Sequence, residues 1–212
     1  DWVAKVRREL TPVEAGRFFV YGSHDADKVP ANVVPLLIAA SMAFGTGHHG
    51  TTQGCLLALE DYGALVSAPP QAVLDVGCGT AVLAMAAARL FPSARIIASD
   101  IDPVAIEVAD VNLTANHLNA RVLTCVAEGL ADPNIARATP FDLIFANILK
   151  GPLIALAPTI LSALRPGAHA ILSGILNEQA DDVRAIYSGA GNSVETAHRI
   201  GEWTTLRITK SG

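Results

Sequence analysis

The chain has 212 residues, 51% hydrophobic and 17% charged, which suits one α/β domain with a full core and excludes intrinsic disorder for most of its length. Its net charge is −5 and it has only four lysines, so it has no obvious electrostatic footprint for nucleic acid, and we expect a protein or small-molecule partner. Lys5, Arg7 and Arg8 cluster near the start, which leaves a locally basic patch open as an alternative. Three widely spaced cysteines support neither a disulfide framework nor a zinc site and fit a reducing cytoplasm. The sequence shows no signal peptide or membrane-spanning apolar run, so no membrane partner is predicted.

Two regions differ in their patterning. Residues 1–43 are predicted to be a linker or approach segment, with short strands at 18–21 and 36–38 separated by prolines. Residues 44–212 are predicted to form the main domain, which opens with a helix over 51–62.

From residue 73 onward, apolar strands alternate with helices. Strands are predicted at 73–76, 95–99, 121–126, 141–146 and 168–173, and helices at 81–90, 103–116, 153–164 and 179–188. This alternation indicates a parallel sheet with right-handed crossovers. The final strands, 193–200 and 203–209, are linked by only two residues, which is too short for a parallel crossover. We therefore predict an α/β, doubly wound, mostly parallel seven-stranded Rossmann-like methyltransferase sheet with a reversed last strand.

A glycine-containing loop follows the first strand of this series. The run Asp-Val-Gly-Cys-Gly at 75–79 lets the backbone turn tightly and approach a ligand. A dinucleotide site would have a third Gly or Ala at position 82, where this chain has Val82, which disfavours a nicotinamide-dependent dehydrogenase. Gly77 and Gly79, with Asp75 near the positively charged methionyl end, predict a site for S-adenosyl-L-methionine. The alternative is a plain strand-to-helix turn.

Acidic residues follow the next two strands. Asp100 lies 23 residues after Gly77, where a carboxylate can accept hydrogen bonds from ribose hydroxyls, and Ile101 can lie on the adenine face. Asp100 as a helix N-cap is the weaker interpretation, because Asp102 is better placed to cap. Glu128 is predicted to accept the adenine amino group, with a solvated loop carboxylate as an equal alternative.

Asn147 ends the fourth strand of the series, beside the point where ligands bind in such sheets. A neutral amide there can accept from a substrate amine and hold its lone pair toward a sulfonium methyl, so Asn147 is the predicted catalytic residue. The alternative is a turn asparagine ahead of Gly151. Lys150 stands where nucleobase methyltransferases place a stacking aromatic residue, which argues against a nucleobase substrate.

The run Ala-Phe-Gly-Thr-Gly-His-His-Gly-Thr-Thr at 43–52 predicts a flexible loop that closes over a ligand. Thr51 and Thr52 could instead cap the following helix. The adjacent His48 and His49 lack the spacing and carboxylate partner of a metal site, so no metal is predicted.

These motifs, taken together and in order, resemble the ribosomal protein L11 methyltransferase family across essentially the whole chain. The shared runs are Ala-Phe-Gly-Thr-Gly-His-His-x-Thr-Thr, Leu-Asp-x-Gly-x-Gly, Asp-Ile-Asp-Pro, Ala-Asn-Ile-Leu-x-Gly-Pro-Leu and Ser-Gly-Ile-Leu. The resemblance implies an S-adenosylmethionine-dependent protein methyltransferase that N-methylates lysine side chains and the N-terminal amine of a large-subunit ribosomal protein.

The resemblance also assigns cofactor positions, namely Thr52, Gly77, Asp100 and Asn147, of which Thr52 is new. Members of the family carry an N-terminal substrate-recognition domain ahead of an inter-domain linker, which residues 1–3 resemble. The sequence has no room for that domain, so we expect either that this chain lacks it or that the chain is a shorter relative with a different target. Gly50 departs from the Glu or Pro common at that position and is expected to loosen the loop.

Two other functions stay open from the sequence. One is an amino-methyltransferase of another protein, an RNA or a small molecule, and the other is a methyltransferase-like domain that binds without catalysis. No residue stands out as a general base; His48 and His49 are the only suggestion.

Overall fold

The computed structural model describes residues 11–39 and 49–212. Within these ranges the chain forms ten β-strands and six α-helices. The strands are β1 Val13–Ala15, β2 Phe18–Gly22, β3 Val34–Ile38, β4 Ala72–Val76, β5 Arg95–Asp100, β6 Val122–Val126, β7 Phe141–Asn147, β8 Leu164–Leu176, β9 Ser193–Ile200 and β10 Trp203–Thr209. The helices are α1 His49–Leu65, α2 Val82–Leu90, α3 Pro103–Ala115, α4 Pro133–Ala138, α5 Lys150–Ala163 and α6 Ala180–Tyr187.

Seven strands form the central sheet in the order β6-β5-β4-β7-β8-β10-β9. The first five in this order pair in parallel. Strand β10 runs antiparallel to both β8 and β9, so it is the single reversed strand. The predicted doubly wound sheet with a reversed last strand is confirmed, and β4 lies at the point where the strand order changes direction, which is where ligands bind in such folds.

The two faces of the sheet bury two hydrophobic clusters. Alternate residues of β5 show the division, since Ile96 and Ala98 belong to one cluster and Ile97 to the other. Helices α1, α2 and α3 cover the first face, and α4, α5 and α6 cover the second. The inner parallel strands β4, β5 and β7 are therefore buried on both sides, which explains their near-continuous apolar runs, whereas the edge strand β6 leaves Leu123 and Val126 exposed.

A second, three-stranded sheet is formed by β1, β2 and β3. Its buried side chains, including Phe18 and Leu36, belong to the same cluster as those of α1, α2 and α3. The predicted strands at 18–21 and 36–38 are present, and the segment that holds them packs on the main domain. The proposed boundary at residue 43 lies outside the described residues and stays a prediction.

Some boundaries differ from the predictions. Helix α5 begins at Lys150, three residues before the predicted start. Helix α2 begins at Val82 because Ala81 adopts a left-handed conformation with φ 62°. Strand β8 starts at Leu164, since Leu164 already pairs with Phe141 of β7, and Gly167 and Ala168 exchange backbone hydrogen bonds with Lys210 beyond the end of β10.

Two short elements were not predicted, β1 and α4. Both are too brief to show a clear hydrophobic period, although Asp132 caps α4 and Pro133 opens it. Among the helices of the described ranges, none has the length and apolar character needed to cross a membrane.

Candidate functional site

The loop between β4 and α2 needs its glycines for two reasons. Gly77 and Gly79 have φ values of 67° and 51°, in the region that favours glycine. A Cβ atom on Gly77 would also lie 2.4 Å from Ile148 Cγ2, which follows β7. The Cys78 N–H donates to the Ser99 carbonyl at 2.9 Å, so the loop is joined to the end of β5. The loop therefore lies between the ends of β5 and β7. At Gly77 and Gly79 no side chain covers its backbone.

Asp100 holds this loop through its carboxylate. Its Oδ2 accepts a hydrogen bond from the Gly79 N–H at 2.9 Å, and its Oδ1 accepts one from the Asp102 N–H at 3.0 Å. Asp102 itself caps α3 by accepting from the Val104 N–H at 2.9 Å, as the sequence predicted. Each carboxylate oxygen of Asp100 retains a further lone pair for a ligand hydroxyl.

The structure brings Ile101 and Glu128 to the same edge of the sheet. The Ala127 N–H donates to the Asp100 carbonyl at 2.9 Å, which fixes the end of β6 beside the end of β5. The Ile101 side chain is 65% exposed, which is unusual for isoleucine, and Glu128 is exposed as well. An apolar surface and a carboxylate therefore stand free next to Asp100.

Asp75 lies beneath the loop and is 1% exposed. Its Oδ2 accepts from the Ala84 N–H in the first turn of α2 at 3.1 Å. Burial raises the pKa of Asp75 to about 7, and the nearby Asp100 charge adds to this, while the Ala84 hydrogen bond opposes it. Asp75 is thus a buried carboxyl group at the base of the loop, and its part in ligand binding stays a prediction.

Asn147 ends β7, the neighbour of β4 on the other side. Its Nδ2 donates to Thr51 Oγ1 of α1 at 3.3 Å. The next residue, Ile148, donates its N–H to the Ser173 carbonyl at 3.2 Å. Gly174 has φ 85°, and a Cβ there would lie 2.4 Å from the Ile148 carbonyl oxygen. The segment after Asn147 therefore passes between two glycines, Gly77 and Gly174, which explains the Ser-Gly pair in β8.

Thr51 and Thr52 lie inside the first turn of α1, which begins at His49. The suggestion that they cap this helix is wrong, because the N-cap position precedes His49. Thr52 is 9% exposed and Thr51 is 1% exposed. Residues 40–48, which include most of the predicted closing loop and His48, lie outside the described residues.

Comparisons with known proteins give the family of the chain. The family model described as ribosomal protein L11 methyltransferase (PrmA) matches residues 1–211. The chain belongs to this family. The ribosomal protein L11 methyltransferase of Brucella abortus is 48% identical over 210 residues, covering 99% of this chain and 72% of the relative. That of Bradyrhizobium diazoefficiens is also 48% identical, covering 100% of this chain and 71% of the relative.

A solved structure shares the architecture. The ribosomal protein L11 methylase of Lactobacillus delbrueckii subsp. bulgaricus superposes with a TM-score of 0.81 at 27% identity, covering 95% of this chain and 99% of that one. An O-methyltransferase of Bacillus cereus, 18% identical with a TM-score of 0.60, shares the fold. The predicted family, the methyltransferase class and the Rossmann-like fold are confirmed.

In this methyltransferase, Gly50 lies in the first turn of α1 and not in a loop. A Cβ on Gly50 would lie 2.9 Å from Trp203 Cδ1 and 3.2 Å from the Ile200 carbonyl oxygen. The expectation that Gly50 loosens the loop is therefore wrong for this residue: glycine lets the helix pack closely against the β9–β10 hairpin.

Lys150, at the position where nucleobase methyltransferases place a stacking aromatic residue, is the first residue of α5. Its Nζ forms an ion pair with Asp182 of α6. The neighbouring Leu149 side chain is 65% exposed. The surface beside Asn147 therefore presents an aliphatic group and a paired charge.

Two buried asparagines, Asn112 within α3 and Asn116 directly after it, were not predicted to have a role. The Asn112 Nδ2 donates to the Thr80 carbonyl at 3.0 Å, and its Oδ1 accepts from the Ala39 N–H at 2.9 Å. Asn116 bonds both the N–H and the carbonyl of Leu37, at 3.0 and 2.7 Å. These side chains join β3 to the end of the glycine loop. The signal available was Asn112 inside a helix, where asparagine is disfavoured, with a second asparagine four residues later at the end of that helix.

A separate cavity of about 250 Å³ opens at the other end of the sheet. Its lining includes Tyr62, Asp142, Arg165 and His169 and none of the predicted site residues. Among the residues described, no group of three or more His, Cys, Asp or Glu side chains could hold a metal ion.

Proposed function

We propose that this chain transfers methyl groups from S-adenosyl-L-methionine to amino groups of ribosomal protein L11, both lysine side chains and the N-terminal amine. The observation that carries the proposal is the placement of a neutral amide, Asn147, one strand away from a glycine loop that Asp100 secures by a hydrogen bond. The family name supports the substrate, since the relatives with 48% identity are called ribosomal protein L11 methyltransferases.

The donor and acceptor groups fit an adenosyl ligand. Gly77 and Gly79 leave room for close approach to the loop, and Asp100 offers lone pairs to ribose hydroxyls. The exposed Ile101 side chain offers an apolar surface to the adenine ring, and Glu128 can accept its amino group. Thr52 is proposed as a further contact, from the first turn of α1.

S-Adenosylmethionine supplies the methyl group as a sulfonium, whose sulfur leaves with the bonding electron pair. The substrate nitrogen must be neutral when it forms its bond to the methyl carbon. Asn147 can accept a hydrogen bond from this amine through Oδ1 without adding a charge that would favour the ammonium form. Positioning of the two reactants is the main contribution, because aligned reactants can lower a barrier by roughly 7–11 kcal/mol in the best cases.

The partner is proposed to be a protein and not RNA. The net charge of −5 disfavours an extended basic surface, and Lys150 forms an ion pair with Asp182. All three cysteines, Cys55, Cys78 and Cys125, are free, which fits the proposed cytoplasmic location.

The test uses the chain with radiolabelled S-adenosylmethionine and, in separate reactions, purified ribosomal protein L11 and protein-free ribosomal RNA. Label in the protein, located on lysines and the N-terminus by mass spectrometry, is the expected result. Label in the RNA, or none in L11 when calorimetry shows that the cofactor binds, would contradict the proposed substrate. Asn147→Ala is expected to bind cofactor and lose most turnover; unchanged turnover at saturating cofactor would remove Asn147 from the mechanism.

A further inference from the structure

A buried hydroxyl group of α1 contacts the proposed catalytic amide. Thr51 Oγ1 accepts a hydrogen bond from Asn147 Nδ2, with 3.3 Å between the two atoms. These residues are 96 positions apart in the sequence. Thr51 is 1% exposed, so bulk water does not compete for this contact, whereas Asn147 is only half-buried and has one side open.

The two ends of an asparagine amide have opposite polarity, since Nδ2 only donates and Oδ1 only accepts. With Nδ2 directed at Thr51, Oδ1 is left to accept an N–H of the substrate amine. In the flipped orientation, Nδ2 would donate to the amine lone pair, which is the electron pair that must attack the methyl carbon. The orientation of this amide therefore separates a productive arrangement from a blocked one.

The position of Thr51 is fixed by packing. A Cβ atom added to Gly54, one turn further along α1, would lie 2.2 Å from Thr205 Oγ1 of β10, so the helix rests directly on the sheet. A threonine side chain also has few χ1 rotamers within a helix. On the other side, Asn147 pairs in register with Ser173 of β8. Both partners of the hydrogen bond therefore belong to rigid elements.

The geometry points to Thr51 as a positioning residue that holds the Asn147 side chain by a hydrogen bond to one end of its amide, Nδ2 in this structure, so that the other end, Oδ1, faces the methyl acceptor. The inference rests on the proposed function. It adds a buried residue that acts through Asn147.

The kinetic test is a double-mutant cycle. Thr51→Val keeps the shape of the side chain and removes the hydroxyl, and we expect kcat to fall about tenfold with cofactor affinity unchanged. Thr51→Ser restores the hydroxyl and is expected to recover kcat to within about threefold. In an Asn147→Ala background, Thr51→Val should change kcat by less than about twofold, because contacting residues that act together are not additive. Equal losses in both backgrounds would overturn the inference.

A matched control removes a buried hydroxyl from the same packing layer. Thr205 is 2% exposed, and its Oγ1 pairs with Ser173 Oγ at 3.1 Å beneath α1. Thr205→Val should lower the thermal midpoint at least as much as Thr51→Val and leave kcat within about twofold. A tenfold loss of kcat in Thr205→Val as well would assign the effect to general loosening of the helix.

NMR spectroscopy gives a second test that does not depend on enzyme activity. The side-chain amide resonances of Asn147, identified by their loss in Asn147→Ala, should shift in Thr51→Val and stay near the wild-type position in Thr51→Ser. Unshifted resonances in Thr51→Val would overturn the contact even if the enzyme is active. If the two Thr51 variants show these shifts but the wild-type chain methylates no protein, the proposed function fails while the amide contact stands.

Discussion

The Asp100 carboxylate accepts a hydrogen bond from the backbone N–H of Gly79 at 2.9 Å, and this bond joins the end of β5 to the loop that follows β4. One side chain therefore shapes the glycine loop and is proposed to bind the ribose. Neither role is that of capping α3, because the neighbouring Asp102 caps that helix.

Asp100→Ala is expected to weaken S-adenosylmethionine binding by about 100-fold, since hydrogen bonds to a charged group contribute roughly 1.5–3 kcal/mol each. Calorimetric titration measures the change. The control is Asp102→Ala, which should cost about 1 kcal/mol of stability through loss of the helix cap and leave affinity within a few-fold. Similar affinities for Asp100→Ala and wild type would count against the ribose contact.

The buried Asp75 predicts a specific pH dependence of stability. Its folded-state pKa of about 7 lies above the ordinary aspartate value of 3.8, so between these pH values the folded protein holds a proton that the unfolded chain has lost. Stability is then highest below the unfolded pKa and falls as pH rises through the folded pKa. A shift of about three pKa units corresponds to a loss on the order of 4 kcal/mol.

Urea unfolding at several pH values between 4 and 8 tests this prediction. Asp75→Asn keeps an acceptor for the Ala84 N–H and removes the titration, so its stability should change less with pH than that of the wild type. Asp181→Asn serves as the control, because the Asp181 side chain is 96% exposed. Parallel pH profiles for Asp75→Asn and wild type would contradict the assignment.

Substituting Gly174 and Gly167 by alanine distinguishes the effect of a steric contact from that of a left-handed backbone conformation. Both have positive φ, 85° and 76°, but an added Cβ meets the Ile148 carbonyl oxygen at 2.4 Å on Gly174 and nothing within 4 Å on Gly167. Gly167→Ala should cost about 1–2 kcal/mol of unfolding free energy, the cost of the left-handed conformation alone. Gly174→Ala should cost more and should reduce kcat, because Ile148 follows Asn147. Equal stabilities and turnover in the two variants would argue against the contact.

The fold and the edge of the site were predictable because their signals are local. Apolar strands alternating with helices predict a parallel sheet, and the carboxyl ends of such strands meet at one edge, which places Gly77, Asp100 and Asn147 near one another. The two-residue link before β10 predicted the reversed strand in the same way.

The supporting contacts were not predictable, because each joins residues far apart in the sequence. Thr51 and Asn147 are 96 positions apart, and Asn112 and Ala39 are 73 apart. Such pairs depend on how the helices pack on the sheet, and the local sequence around a polar helix residue does not predict its partner. Thr51 is an example. It was considered as a helix cap, but because α1 begins at His49 it lies inside the helix, and its buried side chain contacts Asn147 of β7.

Asn112 carries the last of these long-range contacts, and its loss should affect both stability and binding. Asn112→Ala removes the partners of the Ala39 N–H and the Thr80 carbonyl, and a buried polar group without a partner costs roughly 1–3 kcal/mol. The Thr80 carbonyl is buried, whereas the Ala39 N–H is only partly buried and water can replace its partner, so urea unfolding should show a loss of about 1–3 kcal/mol. Because Thr80 ends the glycine loop, cofactor affinity should fall as well, by about tenfold in calorimetry. Asn119→Ala is the control, since Asn119 is exposed, and it should lie within about 0.5 kcal/mol of wild type. A variant of Asn112 that loses stability but binds cofactor as tightly as wild type would show that the glycine loop holds its shape without this side chain.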